Sequence, residues 1–397
     1  MNLAGGYRAQ GNSYRIAIDW RVWASGCARA ALLLCAFAAP HAARADGPDA
    51  PAILKRTAAA YQNLKSYRAT ITLQTVDGTN VAESHFTETG KGASFACADD
   101  DAAGLVRFSD GQSLLTLDRK TNEYTEGPVV TSSGLNPQSM IGQFAQIDQN
   151  VKDASVDGEE LYGVNGSQVK VYVVEVARTA WPAASPAGAE SVIYSIDENT
   201  LEVYKALTYT HGATQVALYS IEQRNQPVTG SGIVYGIPSS AKQVSSLPAE
   251  TIAYKSMIGI EAPDFTLKDP SGKTYSLHDV RGRVLVIDFV ASWCPTCLAQ
   301  TPYIQQVFNL YPEKDLEVYG LDVGEDAKEV ADLGFASAFS FPLLMGTEPG
   351  VTAKYFVDDY PTTYVIGRDG KIVFKATGTD NPGGFLAAVK AAVARKP

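Results

Sequence analysis

A run of seven nearly all apolar residues followed by two cysteines constrains this chain more than any other feature. Residues 284–290 form that run, which is typical of a strand at the centre of a parallel sheet. Cys294 and Cys297 follow it, and Pro295 between them suits the first turn of a helix. The sequence therefore predicts a buried strand, a short loop and a helix that begins at a C-x-x-C pair.

A C-x-x-C pair either contributes to a zinc site or cycles between dithiol and disulfide. A structural zinc ion needs four ligands, but the chain has no second C-x-x-C, and its histidines, at 41, 85, 211 and 278, are scattered. Redox chemistry without a metal is therefore favoured. Free backbone N–H groups at a helix N-terminus stabilise a thiolate. We expect Cys294 to attack a client disulfide and Cys297 to resolve the mixed disulfide.

The segments around this pair alternate between strand and helix patterns. We predict strands over 264–267, 273–277, 284–290, 316–323, 364–366 and 372–376, and helices that begin at 294 and span 326–333 and 385–393. This alternation, with a hairpin turn at 368–370, indicates an α/β domain with an antiparallel end. We place the domain at residues 257–397, after a polar linker at 241–256.

Five stretches of this domain match a known family. They are IEAPDFTL at 260–267, WCPTC at 293–297, LDVGE at 321–325, YPTT at 360–363 and GKIV at 370–373. Through them the domain resembles the TlpA/ResA branch of the thioredoxin superfamily. The resemblance implies a thioredoxin fold and a thiol-disulfide oxidoreductase that acts on protein thiols and disulfides. It also implies an upstream electron donor and no cofactor besides the Cys294–Cys297 disulfide.

The resemblance further implies roles for the residues beside the cysteines. Pro361 is the superfamily's cis-proline, which faces the cysteines and lets the backbone before it pair with an extended client segment. Trp293, Pro295, Thr296 and Tyr360 are supporting residues in the same surroundings. An ordinary turn proline is the alternative for Pro361.

Two positions depart from the branch and change the expected proton chemistry. Members commonly carry Glu three residues after the second cysteine, where this chain has Gln300. They often carry Asn six residues before the first cysteine, where it has Asp288. Because Gln300 cannot take a proton, we expect a buried Asp288 with a raised pKa to deprotonate Cys297 during resolution. A hydrogen-bonded structural carboxylate is the alternative.

The direction of electron flow rests on the residues between the cysteines and on the resemblance. The pair encloses Pro295 and then Thr296, with no cationic side chain, which predicts a reduction potential between those of thioredoxin and DsbA. The resemblance favours a reductase. A peroxiredoxin is the rival, because the run Ala-Pro-Asp-Phe at 262–265 also occurs in that class. Its Pro-x-x-x-Thr-x-x-Cys loop is absent.

Residues 46–240 follow a different pattern, one helix and then many strands. An apolar face within 51–66 predicts the helix, and alternating runs predict strands at 67–75, 105–117, 169–176, 191–196, 201–210 and 215–221, with a second helix at 138–147. The opening helix and the hairpin-like run 194–200 resemble the family of the LolA lipoprotein carrier. That resemblance implies a mostly antiparallel β half-barrel over helices, whose concave face is able to hold an acyl chain or an apolar peptide.

Three functions are compatible with this organisation. The chain is an exported disulfide reductase whose first domain recruits clients, a lipid- or lipoprotein-binding protein with an accessory redox domain, or an adaptor with an idle thioredoxin fold. Intact Cys294, Cys297 and Pro361 speak against the third. Cys97 is expected to be a lone buried thiol. An internal substrate for Cys294 and an intermolecular bridge are its alternatives.

The first 45 residues predict export to the periplasm or beyond. The apolar run 30–39 is too short to span a bilayer and suits a signal peptide, and Ala43-Arg44-Ala45 supplies a cleavage pattern before Asp46. A lipobox-like run ending at Cys27 is the alternative, but charged residues stand where its apolar stretch belongs. The formal charge is −10, and −14 without these residues, which argues against nucleic acid as a partner. No other run has the length of a membrane helix.

Overall fold

An amphipathic helix opens the described part of the chain. The computed structural model describes residues 49–101, 104–129, 135–179, 189–210, 213–228, 233, 237–247, 255–332, 335, 339–346, 350–379 and 381–395, so the predicted signal peptide and its cleavage site lie outside the described residues. Helix α1 (Ala50–Gln62) has proline in its first turn and buries Ile53, Leu54 and Tyr61 along one face. The first predicted helix is confirmed.

Within the described residues before 257, thirteen strands form one sheet. They are β1 (Ser66–Asp77), β2 (Asn80–Lys91), β3 (Ser94–Asp99), β4 (Leu105–Ser109), β5 (Ser113–Asp118), β6 (Glu123–Pro128), β7 (Val151–Val164), β8 (Ser167–Arg178), β9 (Ala189–Asp197), β10 (Val203–Thr210), β11 (Ala213–Arg224), β12 (Lys242–Gln243) and β13 (Lys255–Ser256). Their order is β12-β6-β5-β4-β3-β2-β1-β11-β10-β9-β8-β7, with β13 on β2. All of these pairs are antiparallel except β12 with β6. Tight turns at Gly78 and Gly166, both with positive φ, connect β1 to β2 and β7 to β8.

The sequence analysis did not predict several strands of this sheet. β2, β3, β6 and β7 were not predicted, and β7 buries only two of its 14 residues, Glu160 and Tyr162. Its backbone pairs with β8 along its whole length, so strand pairing rather than an apolar face makes it a strand. The predicted linker, 241–256, contains β12 and β13 because its backbone pairs with β6 and β2.

One face of the sheet is covered by α1 and by the segment 135–147. Phe144 sits at the centre of this core, with its ring centroid 5.2 Å from that of Tyr61, 4.9 Å from that of Tyr219 and 6.2 Å from that of Tyr194. The core extends over inward-facing residues of β1, such as Ile71. The chain's own side chains therefore fill the space between this face of the sheet, α1 and the segment 135–147.

The predicted helix at 138–147 is wrong over half of its length. Only Gly142–Gln146 is helical, and it is a 3₁₀ helix. The N–H groups of Met140 and Ile141 donate to the Glu88 carboxylate, at 2.9 and 3.0 Å. The first residue of this 3₁₀ helix, Gly142, has no room for a side chain, because a Cβ there would lie 2.0 Å from the Asn136 carbonyl oxygen. A tertiary carboxylate thus takes the place of helical hydrogen bonds that the apolar pattern alone suggested.

Residues 257–395 form a second, mixed sheet with helices on it. The strands are β14 (Thr266–Lys268), β15 (Thr274–Ser276), β16 (Val284–Val290), β17 (Leu316–Val323), β18 (Leu343–Gly346), β19 (Thr362–Ile366) and β20 (Ile372–Thr377), and the helices are α2 (Pro295–Leu310), α3 (Ala327–Asp332), α4 (Gly350–Tyr355) and α5 (Pro382–Ala394). The order is β15-β14-β18-β17-β16-β19-β20. Strands β16, β17 and β18 are parallel, and the other pairs are antiparallel. The predicted elements of this region are confirmed, whereas β18 and α4 were missed.

The central strand β16 is covered on both faces. Leu285, Ile287 and Phe289 face one core, which includes residues of α4. The alternate residues face a second core that contains Ile304 of α2 and Val389 of α5. Burial on both sides explains why this strand is an almost continuous apolar run. Among the described residues, no helix has the length and apolar character needed to cross a membrane.

The two sheets touch through the outer face of the first. Residues 48–397 pack as one compact unit. Val76 and Val81, beside the turn between β1 and β2, join Met257 in the core of the second sheet. The Gln74 side-chain amide donates to the Ala353 carbonyl at 3.1 Å. We call residues 49–256 the N-terminal region and residues 257–395 the C-terminal region.

Candidate active site

The cysteine pair lies where β16 ends and α2 begins, as predicted. Cys294 is the N-cap residue of α2, Pro295 stands in the first turn, and the Cys297 N–H donates to Cys294 Sγ at 3.1 Å. The two cysteines form a disulfide, with their Cα atoms 5.3 Å apart. Cys294 is 4% exposed and Cys297 is fully buried. After reduction, the same N–H is placed to stabilise a Cys294 thiolate.

The predicted supporting residues surround this pair. The Thr296 hydroxyl lies 3.2 Å from Cys294 Sγ and donates to the Tyr360 carbonyl at 3.4 Å. The Tyr360–Pro361 peptide is cis, as the resemblance implied. The Trp293 ring packs edge-on to the Tyr360 ring at 5.8 Å, and 47% of Trp293 is exposed. An aromatic pair, the exposed Trp293 and the half-buried Tyr360, therefore lies beside the disulfide and the proline.

Asp288 is buried within β16 and contacts Gln300. Its Oδ1 accepts hydrogen bonds from the Gln300 amide and the Thr363 hydroxyl, each at 2.8 Å. Its Oδ2 is buried without a hydrogen-bond partner among the described residues. Burial raises the pKa of Asp288 to about 7, although the two hydrogen bonds act to lower it. Gln300 stands one turn after Cys297 on α2, so the carboxyl is held beside the helix face that carries Cys297.

A small cavity adjoins this buried group. It has a volume of about 20 Å³, and Gln300, Thr363 and Tyr303 are among its lining residues. A space of this size accommodates about one water molecule when polar partners line it.

A second acidic group holds the loop before Cys294, and the sequence analysis missed it. The Ser292 N–H donates to Glu325 Oε2 at 2.6 Å, and the Ser292 hydroxyl donates to Oε1. Burial, and then the charge of Glu325, raise the pKa of nearby Asp322 to about 9. The available signal was an acidic residue in the otherwise apolar end of β17, since parallel strands end at the same edge of a sheet. In the structure Asp322 pairs with Val290, the last residue of β16.

Cys97 lies apart from the disulfide, in the core of the N-terminal region. It is a free, buried cysteine on β3, with Sγ 3.9 Å from Met140 Sδ and 3.9 Å from the Arg107 guanidinium. Burial raises the pKa of Cys97 to about 12. The predicted lone buried thiol is confirmed. No group of three or more metal-binding side chains that could hold an ion occurs within the described ranges.

The fold and this site define a thioredoxin-like thiol-disulfide oxidoreductase domain. Residues 258–375 match the family model described as the AhpC/TSA family. The chain is 31% identical over 122 residues to the thiol-disulfide oxidoreductase ResA of Geobacillus thermodenitrificans, which covers 31% of this chain and 70% of that protein. It is 33% identical over 126 residues to ResA of Bacillus cereus, which covers 31% and 72%. Through its C-terminal region, the chain belongs to the ResA family of thiol-disulfide oxidoreductases.

A solved structure is also similar to this chain. It is the crystal structure of a putative thiol:disulfide interchange protein DsbE from Chlorobium tepidum, with 25% identity and a TM-score of 0.33 over 34% of this chain and 97% of that chain. The family model begins at residue 258, so it assigns no family to the N-terminal region.

Proposed function

We propose that this chain reduces disulfide bonds of protein clients outside the cytoplasm, with Cys294 as the attacking thiol and Cys297 as the resolving thiol. The observation that carries the proposal is the buried Asp288 carboxyl, whose pKa is raised to about 7 and whose Oδ1 is held by Gln300, one turn beyond Cys297. A group that titrates near neutral pH is suited to accept the proton of Cys297 during resolution.

The proposed reaction has two exchange steps. The Cys294 thiolate attacks one sulfur of the client disulfide, so that the client S–S bond breaks and a Cys294–client bond forms. The second client sulfur leaves as a thiolate and takes up a proton. Cys297 then gives its proton to Asp288, attacks Cys294 Sγ and expels the first client sulfur. Two electrons have passed to the client, and an upstream dithiol donor returns the Cys294–Cys297 disulfide to the dithiol.

The surroundings of Pro361 are proposed to bind the client. The backbone before this residue would pair with an extended client segment, as in other strand-addition complexes. The exposed Trp293 and the adjacent Tyr360 ring offer apolar contact beside it. Thr296 links this loop to α2 through its hydrogen bond to the Tyr360 carbonyl.

Residues 46–240 are proposed to be a LolA-like domain that recruits clients. The resemblance to LolA also offers a second role, the holding of an acyl chain or apolar peptide. The filled core around Phe144 supports recruitment by a surface instead. A cavity of about 340 Å³, lined in part by Thr70, Tyr162 and Tyr204, lies on the opposite face of the sheet and is where a ligand would be sought. Lipid extracted with the purified chain would favour the holding role.

The proposal is tested with the chain from Asp46 onward. We expect it to accelerate the reduction of insulin disulfides by dithiothreitol, and we expect Cys294→Ser to reduce the rate to the background, since no attacking thiol then remains. Equal rates for the two proteins would contradict the proposal. Consumption of hydrogen peroxide that depends on Cys294, without insulin reduction, would favour a peroxiredoxin.

Export is tested on the protein made in cells. The proposal places the mature start at Asp46, so we expect N-terminal sequencing of protein from the periplasmic fraction to begin there. Full-length protein confined to the cytoplasm would contradict this part of the proposal.

A further inference from the structure

The N-terminal region reaches the redox site at one strand edge. β7 is the last strand of its sheet, and Leu161 on it pairs with Lys170 of β8. The Leu161 N–H donates to the Gly324 carbonyl at 2.7 Å. Glu160 is buried against the same glycine, since a Cβ there would lie 3.2 Å from Glu160 Cγ. The edge of β7 that faces away from β8 therefore contacts the residue that follows β17, Gly324.

The contacted glycine precedes the residue that holds the cysteine loop. Gly324 has a φ of 81°, a conformation that favours glycine, and Glu325 follows it directly. The Glu325 carboxylate accepts both hydrogen bonds of Ser292, two residues before Cys294. A shift of the backbone at Gly324 would therefore reach Cys294 through one carboxylate and one serine.

We propose that Glu160 and Leu161 are positioning residues for Cys294. They fix Gly324, so that Glu325 keeps Ser292 in place and Cys294 Sγ keeps the hydrogen bond from the Cys297 N–H. This inference rests on the proposed function and extends it. The N-terminal region sets the reactivity of the attacking cysteine in addition to recruiting clients.

Two substitutions at Leu161 isolate the backbone contact. Leu161→Pro removes the N–H that faces Gly324, and an edge strand tolerates proline where its N–H points away from the partner strand. Leu161→Ala shares the loss of the leucine side chain but keeps the N–H. Any difference between these two variants therefore reports on the hydrogen bond to Gly324.

The measurement is the rate at which iodoacetamide alkylates Cys294 in the reduced mature chain, from pH 5 to pH 9. At pH 7 we expect Leu161→Pro to react roughly three- to tenfold more slowly than Leu161→Ala, because a loosened donor stabilises the thiolate less. The midpoint of the pH profile should move to higher pH as well. Gln74→Ala removes a contact between the regions away from this loop and should retain the wild-type rate and profile.

A double variant tests the route through Ser292. If Leu161 acts through Glu325 and Ser292, then Leu161→Pro should change little in a Glu325→Ala background, which removes the acceptor of both Ser292 hydrogen bonds. Additive effects would overturn the route, and equal profiles for Leu161→Pro and Leu161→Ala would overturn the inference. If Leu161→Pro does not fold, Glu160→Ala is measured instead, and a wild-type rate and profile would overturn the inference. Insulin reduction by the wild-type chain tests the proposed function separately.

Discussion

The two regions each bury a carboxylate, and the two are hydrogen-bonded differently. In the N-terminal region, Glu88 Oε1 accepts from the Tyr67 hydroxyl and the Ile141 N–H, and its Oε2 accepts from the Met140 N–H. In the C-terminal region, Asp288 Oδ1 accepts two hydrogen bonds, whereas Oδ2 has no partner among the described residues. A buried carboxylate with both oxygens hydrogen-bonded orders the backbone around it, while one with an unpaired oxygen is suited to proton transfer.

The cysteines of the two regions also differ in the groups that surround their sulfur atoms. Cys97 sits in an apolar core, where burial raises its pKa to about 12. Cys294 is also buried, but it caps α2 and accepts the Cys297 N–H. Burial disfavours the thiolate form of both cysteines. Cys294 differs from Cys97 because the N–H groups at the N-terminus of α2 stabilise its thiolate.

The largest expected effect is that of Asp288→Asn on resolution. The variant keeps the shape of the side chain but cannot accept the proton of Cys297, so we expect the resolving step at pH 7 to slow by at least about 100-fold. Rapid-quench measurement of the decay of the Cys294–client mixed disulfide checks this. An unchanged decay rate would make Asp288 a structural carboxylate like Glu88.

Gln300→Glu in the Asp288→Asn background provides a matched rescue. It returns a carboxyl to α2 one turn after Cys297, where related domains commonly carry one. We expect at least part of the lost rate to return, since the base again lies beside the resolving thiol. No recovery would mean that the position of the acid, and not only its presence, is required.

Substitutions of Asp288 and Glu88 should change the free energy of unfolding in opposite directions. The folded pKa of Asp288, about 7, exceeds the unfolded value of about 3.9, so its stabilising effect is present at low pH and is lost as pH rises through 7. Asp288→Asn should therefore raise the free energy of unfolding at pH 8 by about 2 kcal/mol. Glu88→Ala should lower it by about 2 kcal/mol or more, since buried donors lose their acceptor.

Urea titrations followed by circular dichroism at pH 8 and pH 5 measure both variants. At pH 5 the gain from Asp288→Asn should shrink, because wild-type Asp288 is then mostly protonated. Destabilisation by Asp288→Asn at pH 8 would remove the contrast between the two carboxylates.

A smaller effect is the pH dependence of resolution in the wild-type chain. A base with a pKa of about 7 loses its ionised form below that pH, so the rate should fall about fivefold between pH 7 and pH 6. Stopped-flow measurement of the resolving step checks the midpoint. The Asp288→Asn variant serves as the control, and its profile should lack this midpoint.

The smallest effect is expected at Cys97. Its buried thiol should resist iodoacetamide at pH 8 in the folded, reduced chain, and Cys97→Ala should leave insulin reduction within about a factor of two of wild type. Mass spectrometry of the alkylated protein checks the first statement, the insulin assay checks the second, and mass spectrometry of trapped Cys297→Ser protein looks for a disulfide to Cys97. A Cys97–Cys294 adduct would instead identify an internal substrate.

The sequence by itself determined most of the C-terminal region. The apolar run of β16, the proline in the first turn of α2 and the turn at Gly370 are local signals, so the strands, the helix start and the placement of Cys294 followed from them. In the N-terminal region the same reasoning found α1 and about half of the strands. It missed β7 because that strand lies at a sheet edge and lacks an apolar face.

Tertiary structure alone decided which polar groups meet. The apolar pattern of 138–147 predicts a helix, but in the structure two N–H groups of this segment donate to the Glu88 carboxylate. Glu325 and Ser292 are 33 residues apart, and Leu161 and Gly324 lie in different regions, yet each pair is hydrogen-bonded. Periodicity reports which face of an element is buried, but the partner of a polar group depends on how distant segments pack, because a buried group must find its hydrogen bond wherever the fold supplies one.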